Sequence, residues 1–73
     1  MIKEFILEKG EFIPLCSLLK MLSLCESGGI AKLVISEGEV KVNGTVELRK
    51  RCKIYANTTV EFDSYKIIVK EKP

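Results

Sequence analysis

Residues 27–48 read SGGIAKLVISEGEVKVNGTVEL, and the period of the apolar side chains changes once inside that stretch. Up to Gly38 the pattern is helical. Ser27 is a good N-cap, because its hydroxyl can accept a backbone N–H left free in the first turn. Ile30, Ala31, Leu33, Val34 and Ile35 give a broad apolar surface, and Gly38 suits the left-handed position just past a helix end. From Glu39 the period is two. Val40 and Val42 alternate with Glu39 and Lys41, as in a half-buried strand. Asn43-Gly44 comes next, then Thr45-Val46-Glu47-Leu48. Asn-Gly between two alternating runs predicts a hairpin whose turn residues both take positive φ.

On the N-terminal side, Leu15, Leu18, Leu19 and Leu22 fall at i, i+3, i+4 and i+7, one apolar face of an amphipathic helix. Pro14 fits its first position, Ser17 and Lys20 lie on its polar side, and it ends near Ser23. Cys25-Glu26 leaves a connection short enough that the two helices should pack together. Further back, Ile2–Glu8 is apolar-rich and stops at Lys9-Gly10, a predicted strand, with Glu11-Phe12-Ile13 as a second short extended piece.

On the C-terminal side, Arg49 to Lys53 is basic, Ile54-Tyr55 is a short apolar piece, and Ala56-Asn57-Thr58 is a turn. Val60–Phe62 and Tyr65–Val69 make a last hairpin around Asp63-Ser64, and Lys70 to Pro73 is expected to fray. The predicted fold class is α+β: two packed helices on one face of a small, mostly antiparallel sheet.

With 73 residues the chain is one domain, 1–73, with no room for a cleft between two lobes. At 47% hydrophobic and 30% charged it has the composition of a folded chain. No apolar run approaches the roughly 20 residues of a membrane helix. Lys3, Glu4 and Glu8 interrupt the start, unlike a signal peptide, so the expected location is the cytoplasm. Three widely spaced cysteines do not resemble a secreted disulfide framework.

The net charge of +2 hides an asymmetry. Residues 1–26 hold Lys3, Lys9 and Lys20 against Glu4, Glu8, Glu11 and Glu26, a net of −1. Residues 27–53 hold Lys32, Lys41, Arg49, Lys50, Arg51 and Lys53 against Glu37, Glu39 and Glu47, a net of +3. Residues 54–73 cancel. A polyanion responds to local charge, because screening removes contributions beyond roughly 10 Å.

Catalytic chemistry has little to work with. Histidine is absent, which removes Ser/His and Cys/His pairs. The cysteines lack CxxC spacing and histidine partners, so no metal site and no cofactor is expected. Cys16 and Cys25 read as small buried apolar residues. Cys52, between Arg51 and Lys53, would have a lowered pKa if exposed. Gly28-Gly29 lacks a phosphate-loop frame. It either leaves the N-terminal N–H groups of the second helix open to an anion or lets the two helices approach closely.

The strongest signal is Arg49, Lys50, Arg51 and Lys53, four cations in five residues. If extended, the segment points Arg49, Arg51 and Lys53 to one side and Lys50 to the other, matching a phosphate backbone. The alternative is a solvated surface run.

The ordered combination of Ser27-Gly28-Gly29-Ile30-Ala31-Lys32, then Gly38, Val40 and Val42-Asn43-Gly44, then Arg49-Lys50-Arg51-Cys52-Lys53 resembles the S4 RNA-binding domain family, in particular its small stand-alone bacterial members. The likeness covers residues 14 to 62. It implies two helices and a strand hairpin, the αL motif, and binding of structured ribosomal or transfer RNA. By position it implies Lys20, Ser27, Lys32, Lys41, Asn43, Arg49, Lys50, Arg51 and Lys53 as RNA-facing residues. Members of this size are not enzymes. Two positions depart from the family pattern: Gly28 stands where many S4 domains carry arginine, and Asn57-Thr58 replaces a Gly-Asp turn.

The leading expectation is therefore a monomeric, non-catalytic module whose partner is RNA, and with it the ribosome, with no membrane involved. Phe5, Phe12, Tyr55, Phe62 and Tyr65 mostly sit at core-like strand positions, which argues against a stacking platform for single strands. A ribosome-associated protein-interaction module is the alternative, marked by an exposed apolar patch. An enzyme is a distant third.

Overall fold

Ser27 sets the start of the second helix. Its backbone is extended (φ −148°, ψ 166°) and its hydroxyl accepts the Ile30 N–H at 3.2 Å, so α2 runs from Gly28 to Ser36. The computed structural model describes residues 1–73. The first helix, α1, is Leu15–Met21. Pro14 stands one position earlier than the sequence predicts: it is the residue before α1 and the second residue of the short strand β2 (Ile13–Pro14). Two donors of the first turn of α1 leave the helix. The Leu15 N–H donates to the Cys52 carbonyl at 2.9 Å and the Cys16 N–H to the Lys50 carbonyl at 3.1 Å. Backbone groups that a helix start cannot satisfy internally thus fasten the basic segment to α1.

The remaining strands are β1 (Ile2–Leu7), β3 (Val40–Val42), β4 (Thr45–Val46), β5 (Lys53–Ile54), β6 (Thr58–Phe62) and β7 (Tyr65–Glu71). Five form one sheet in the order β1-β7-β6-β3-β4, while β2 and β5 pair as a separate antiparallel ribbon. The main sheet is antiparallel except where β1 lies parallel to β7. The Asn43-Gly44 turn uses positive φ as expected, at 50° and 84°, and the later turns do so too, with Asn57 at 65° and Asp63 at 56°. Asn and Asp tolerate this region better than other L residues, because their side chains bond locally.

The core lies between the helix pair and the sheet. Leu15, Leu18 and Leu19 of α1, Ala31 and Ile35 of α2, Ile54 of β5, and Val40, Val60, Ile67 and Val69 of the sheet are fully buried, and no polar side chain joins them. The α+β class holds: two helices on a mostly antiparallel sheet.

Three local expectations fail. The apolar surface of α2 is narrower than its sequence suggests, with Ile30 and Leu33 exposed, because a helix on one side of a small core buries a stripe and not its circumference. The C-terminal residues do not fray. The register carries β7 to Glu71 opposite Leu7, the Lys72 N–H donates to the Leu7 carbonyl at 2.8 Å, and Lys70 pairs with Glu4 at 2.7 Å. Finally, Arg49–Lys53 is not an extended run. Residues 50–51 turn, the Cys52 N–H donates to the Arg49 carbonyl at 3.2 Å, and only Lys53 belongs to a strand. The two bonds to the start of α1 impose that turn.

Candidate nucleic-acid interface

Lys20, Lys32 and Arg51 come from three elements and border one shallow concavity of about 330 Å³. Lys20 lies on the α1 face of Ser17, three residues before it, and of Cys16, four before it, and Gly28 and Lys32, four apart, share a face of α2. Arg51 reaches the rim from the turn fastened to α1, beside Pro14. No carboxylate lines this notch.

The N-terminus of α2 opens into it. Ser27 caps the Ile30 N–H, and the Ala31 N–H donates to the Ser27 carbonyl at 3.0 Å, while the Gly28 and Gly29 N–H groups donate to no protein acceptor. A Cβ at Gly28 would meet nothing within 4 Å, and one at Gly29 only the Ser27 hydroxyl at 3.7 Å. Close helix approach therefore does not require these glycines. Of the two readings of Gly28-Gly29, the open helix end is the one the geometry keeps. Two free N–H groups, the positive end of the helix and three cations form an anion-attracting surface.

A family model described as the S4 domain matches residues 5–70. The chain belongs to the S4 domain family. It is 51% identical over 65 residues to the Escherichia coli protein named "Putative RNA-binding protein YbcJ", covering 89% of this chain and 93% of that one. It is 38% identical over 55 residues to the Bacillus subtilis "Probable ribosome maturation protein RlbA", covering 75% of this chain and 78% of that one. The solution structure of E. coli YbcJ, described as revealing an αL motif involved in RNA binding, superposes with a TM-score of 0.71. It is 49% identical and covers 92% of this chain and 85% of that one. The helix pair and hairpin described above are this S4 αL motif.

The other S4-derived candidates are spread over the surface. Arg49 is held by Glu47: its Nε donates to Glu47 Oε2 at 3.0 Å, its Nη2 to Oε1 at 3.1 Å, and its backbone N–H to Oε2 at 3.0 Å. Hydrogen bonds from the Arg49 guanidinium, then from its backbone N–H, hold the Glu47 carboxyl down to about 2, and Glu47 in turn raises the Arg49 pKa. Arg49 therefore brings a compensated charge. Lys50 is exposed on the turn, next to Arg51. Lys53 is exposed opposite Pro14, with Nζ 5.0 Å from the centroid of the Phe12 ring. Lys41 projects from the middle of β3 beside Glu39, Glu61 and Asp63, at a second concavity. The Asn43 side-chain oxygen accepts the Thr59 N–H at 2.9 Å, which ties the hairpin to β6, and the Ser27 hydroxyl is the α2 cap.

Two residue readings change. Cys52 is half-buried and its pKa is raised, first by burial and then by the Glu47 carboxylate, which outweighs the guanidinium of Arg49. Arg51 and Lys53 contribute no lowering beside these effects, so their proximity in sequence does not produce a thiolate. Phe12 and Tyr55, placed among core-like positions by their strand context, are exposed. Sequence reasoning also missed Ser17 as a lining residue of the notch. Its i, i+3 relation to Lys20 was the available signal.

Proposed function

We propose that this S4 protein is a non-catalytic, cytoplasmic RNA-binding module that grips structured RNA, ribosomal or transfer, by its phosphates at the notch between α1, α2 and the basic turn. One observation carries the reading: Lys20, Lys32 and Arg51 meet the open end of α2 in a concavity without a carboxylate. Two phosphate oxygens can accept from the Arg51 fork while the lysines act as point charges, and the Gly28 and Gly29 N–H groups supply donors that need no side chain. Such contacts position a helix by shape and backbone and leave base identity unread, as suits A-form RNA. The names of the E. coli and B. subtilis relatives support RNA as the ligand and the ribosome as its setting.

The test is a salt titration of binding to ribosomal and transfer RNA, comparing wild type with Lys20→Ala/Lys32→Ala/Arg51→Ala. Each lost phosphate contact makes the log–log slope shallower by roughly 0.7–0.9. The triple variant should therefore lose about 2 to 3 of slope and on the order of 100-fold in affinity, taking about 1 kcal/mol per exposed contact. Unchanged slope and affinity would sink the proposal.

A further inference from the structure

Phe12 and Tyr55 remain 40% and 51% exposed on the surface of a protein with five aromatic residues. Their ring centroids are 5.7 Å apart with planes tilted by 44°, and the Lys53 ammonium lies over the Phe12 ring. The register explains the pairing. Ile13 sits opposite Ile54 and Pro14 opposite Lys53, so one step outward Phe12 faces Tyr55. Ile13 and Ile54 are buried. Strand alternation then puts Phe12, Pro14, Lys53 and Tyr55 on the outward side of the β2–β5 ribbon.

That side leads into the notch. Pro14 borders the notch and pairs with Lys53, and Arg51 on the notch rim is two residues before Lys53 in the chain. The surface from notch to ring pair is lined by Arg51, Lys53 and two aromatic faces. A partner built of apolar side chains would have to cover these cations. A nucleotide matches both components, because its base has a π-face for the ring and its phosphate has a charge for the lysine.

We infer that the Phe12–Tyr55 pair is a stacking site for an unpaired base that flanks the helical RNA held in the notch, with Lys53 on the phosphate of that nucleotide. The inference rests on the notch reading and narrows its substrate to RNA in which a duplex adjoins a single-stranded nucleotide. The notch holds the helical part by its backbone, and the ring pair holds the first base that leaves the stack. No base identity is implied, since any base can stack.

The experiment uses the full chain and three kinds of RNA with one stem: a blunt duplex, the same duplex with a two-nucleotide unpaired extension at either the 5′ or the 3′ end, and the two extended forms with abasic sugars in the extension. Wild type should bind one extended form about 5- to 100-fold more tightly than the blunt duplex, the range expected from stacking one base. The abasic form should lose most of that gain. In Phe12→Leu/Tyr55→Leu the extended and blunt forms should bind alike. The gain is a ratio measured on one protein sample, so partial loss of folded protein cancels. Absence of any gain in wild type, a gain kept by the abasic RNA, or a gain kept by the double variant would each overturn the inference while blunt-duplex binding persists. Failure to bind even the blunt duplex would remove the notch reading and this inference together.

Discussion

The two ends of α2 open into two concavities of opposite charge. At its N-terminus the notch of about 330 Å³ carries Lys20, Lys32 and Arg51 and no acid. Past its C-terminus a smaller hollow of about 160 Å³ carries Glu39, Glu61 and Asp63 around the single cation Lys41. A helix is stabilised by acids at its start and cations at its end, because its backbone dipole is positive at the start. Here the first turn of α2 has no acid and the last turn no base, and the nearby side chains reinforce the dipole instead of offsetting it. Helix stability does not explain that arrangement. The anion proposed for the notch would account for it, and the acidic hollow at the other end would repel one.

Placing a carboxylate at the positive end should have the largest effect. Gly28 faces open space and has room for a longer side chain. Gly28→Glu should raise thermal stability by a few degrees, from better helix propensity and a favourable dipole interaction of about 0.3–1 kcal/mol. The same change should weaken RNA binding by more than about 10-fold. Opposite signs in a melting curve and a binding isotherm would confirm that the end is built for a ligand, whereas a parallel gain in both would break the comparison. Gly28→Arg, which restores the arginine common in S4 domains, should tighten binding by roughly 3- to 10-fold.

A smaller effect is expected from Glu47→Gln, which releases Arg49, two residues before Arg51 in the chain. RNA affinity should rise by about 2- to 3-fold, read by the same titration. The pH dependence of stability follows from the same pair. The folded pKa of Glu47, about 2, lies below its ordinary 4.5, so the contribution is present above about pH 4.5 and is lost as pH falls toward 2. The guanidinium is 77% exposed, so solvent screens the pair. Between about pH 5 and about pH 2.5 the melting temperature of wild type should fall only about 2–4 °C further than that of Glu47→Gln.

The smallest effect belongs to the acidic hollow. Lys41→Ala should change RNA affinity by less than about 1.5-fold, since its charge is already surrounded by carboxylates. A loss as large as that of Arg51→Ala would show that the two concavities are not functionally distinct.

Legibility in the sequence followed distance along the chain. The Ser27 cap, the Gly38 stop and the Asn43-Gly44 turn were readable because each depends on a few consecutive residues. The leucines of α1 were readable by spacing. The run from Arg49 to Lys53 was visible as charge but not as shape, because its turn is imposed by donors at Leu15 and Cys16, more than 30 residues away. Glu47, just outside the run, then removes Arg49 from the count of available cations. The notch was legible only through the S4 resemblance, which nominated Lys20, Lys32 and Arg51 among nine candidates without separating them from Lys41 or Asn43. Exposure of Phe12 and Tyr55 could not be read at all. Both flank buried isoleucines in a two-residue ribbon too short to show an alternating pattern.

The parallel seam between β1 and β7 also governs when the protein can be completed. Ile2 pairs with Lys66 and Leu7 with Glu71, so each rung of that ladder closes a loop of more than 60 residues. During synthesis the first strand leaves the ribosome without its partner and waits until almost all of the chain has emerged. Its outward residues Ile2 and Ile6 are apolar, so a nascent chain carries a sticky, unpaired strand throughout translation. The backbone bonds that join the basic turn to α1 lie within residues 15–52 and can form before that. The basic turn of the proposed RNA site can therefore be fastened to α1 while the partner of β1 is still missing.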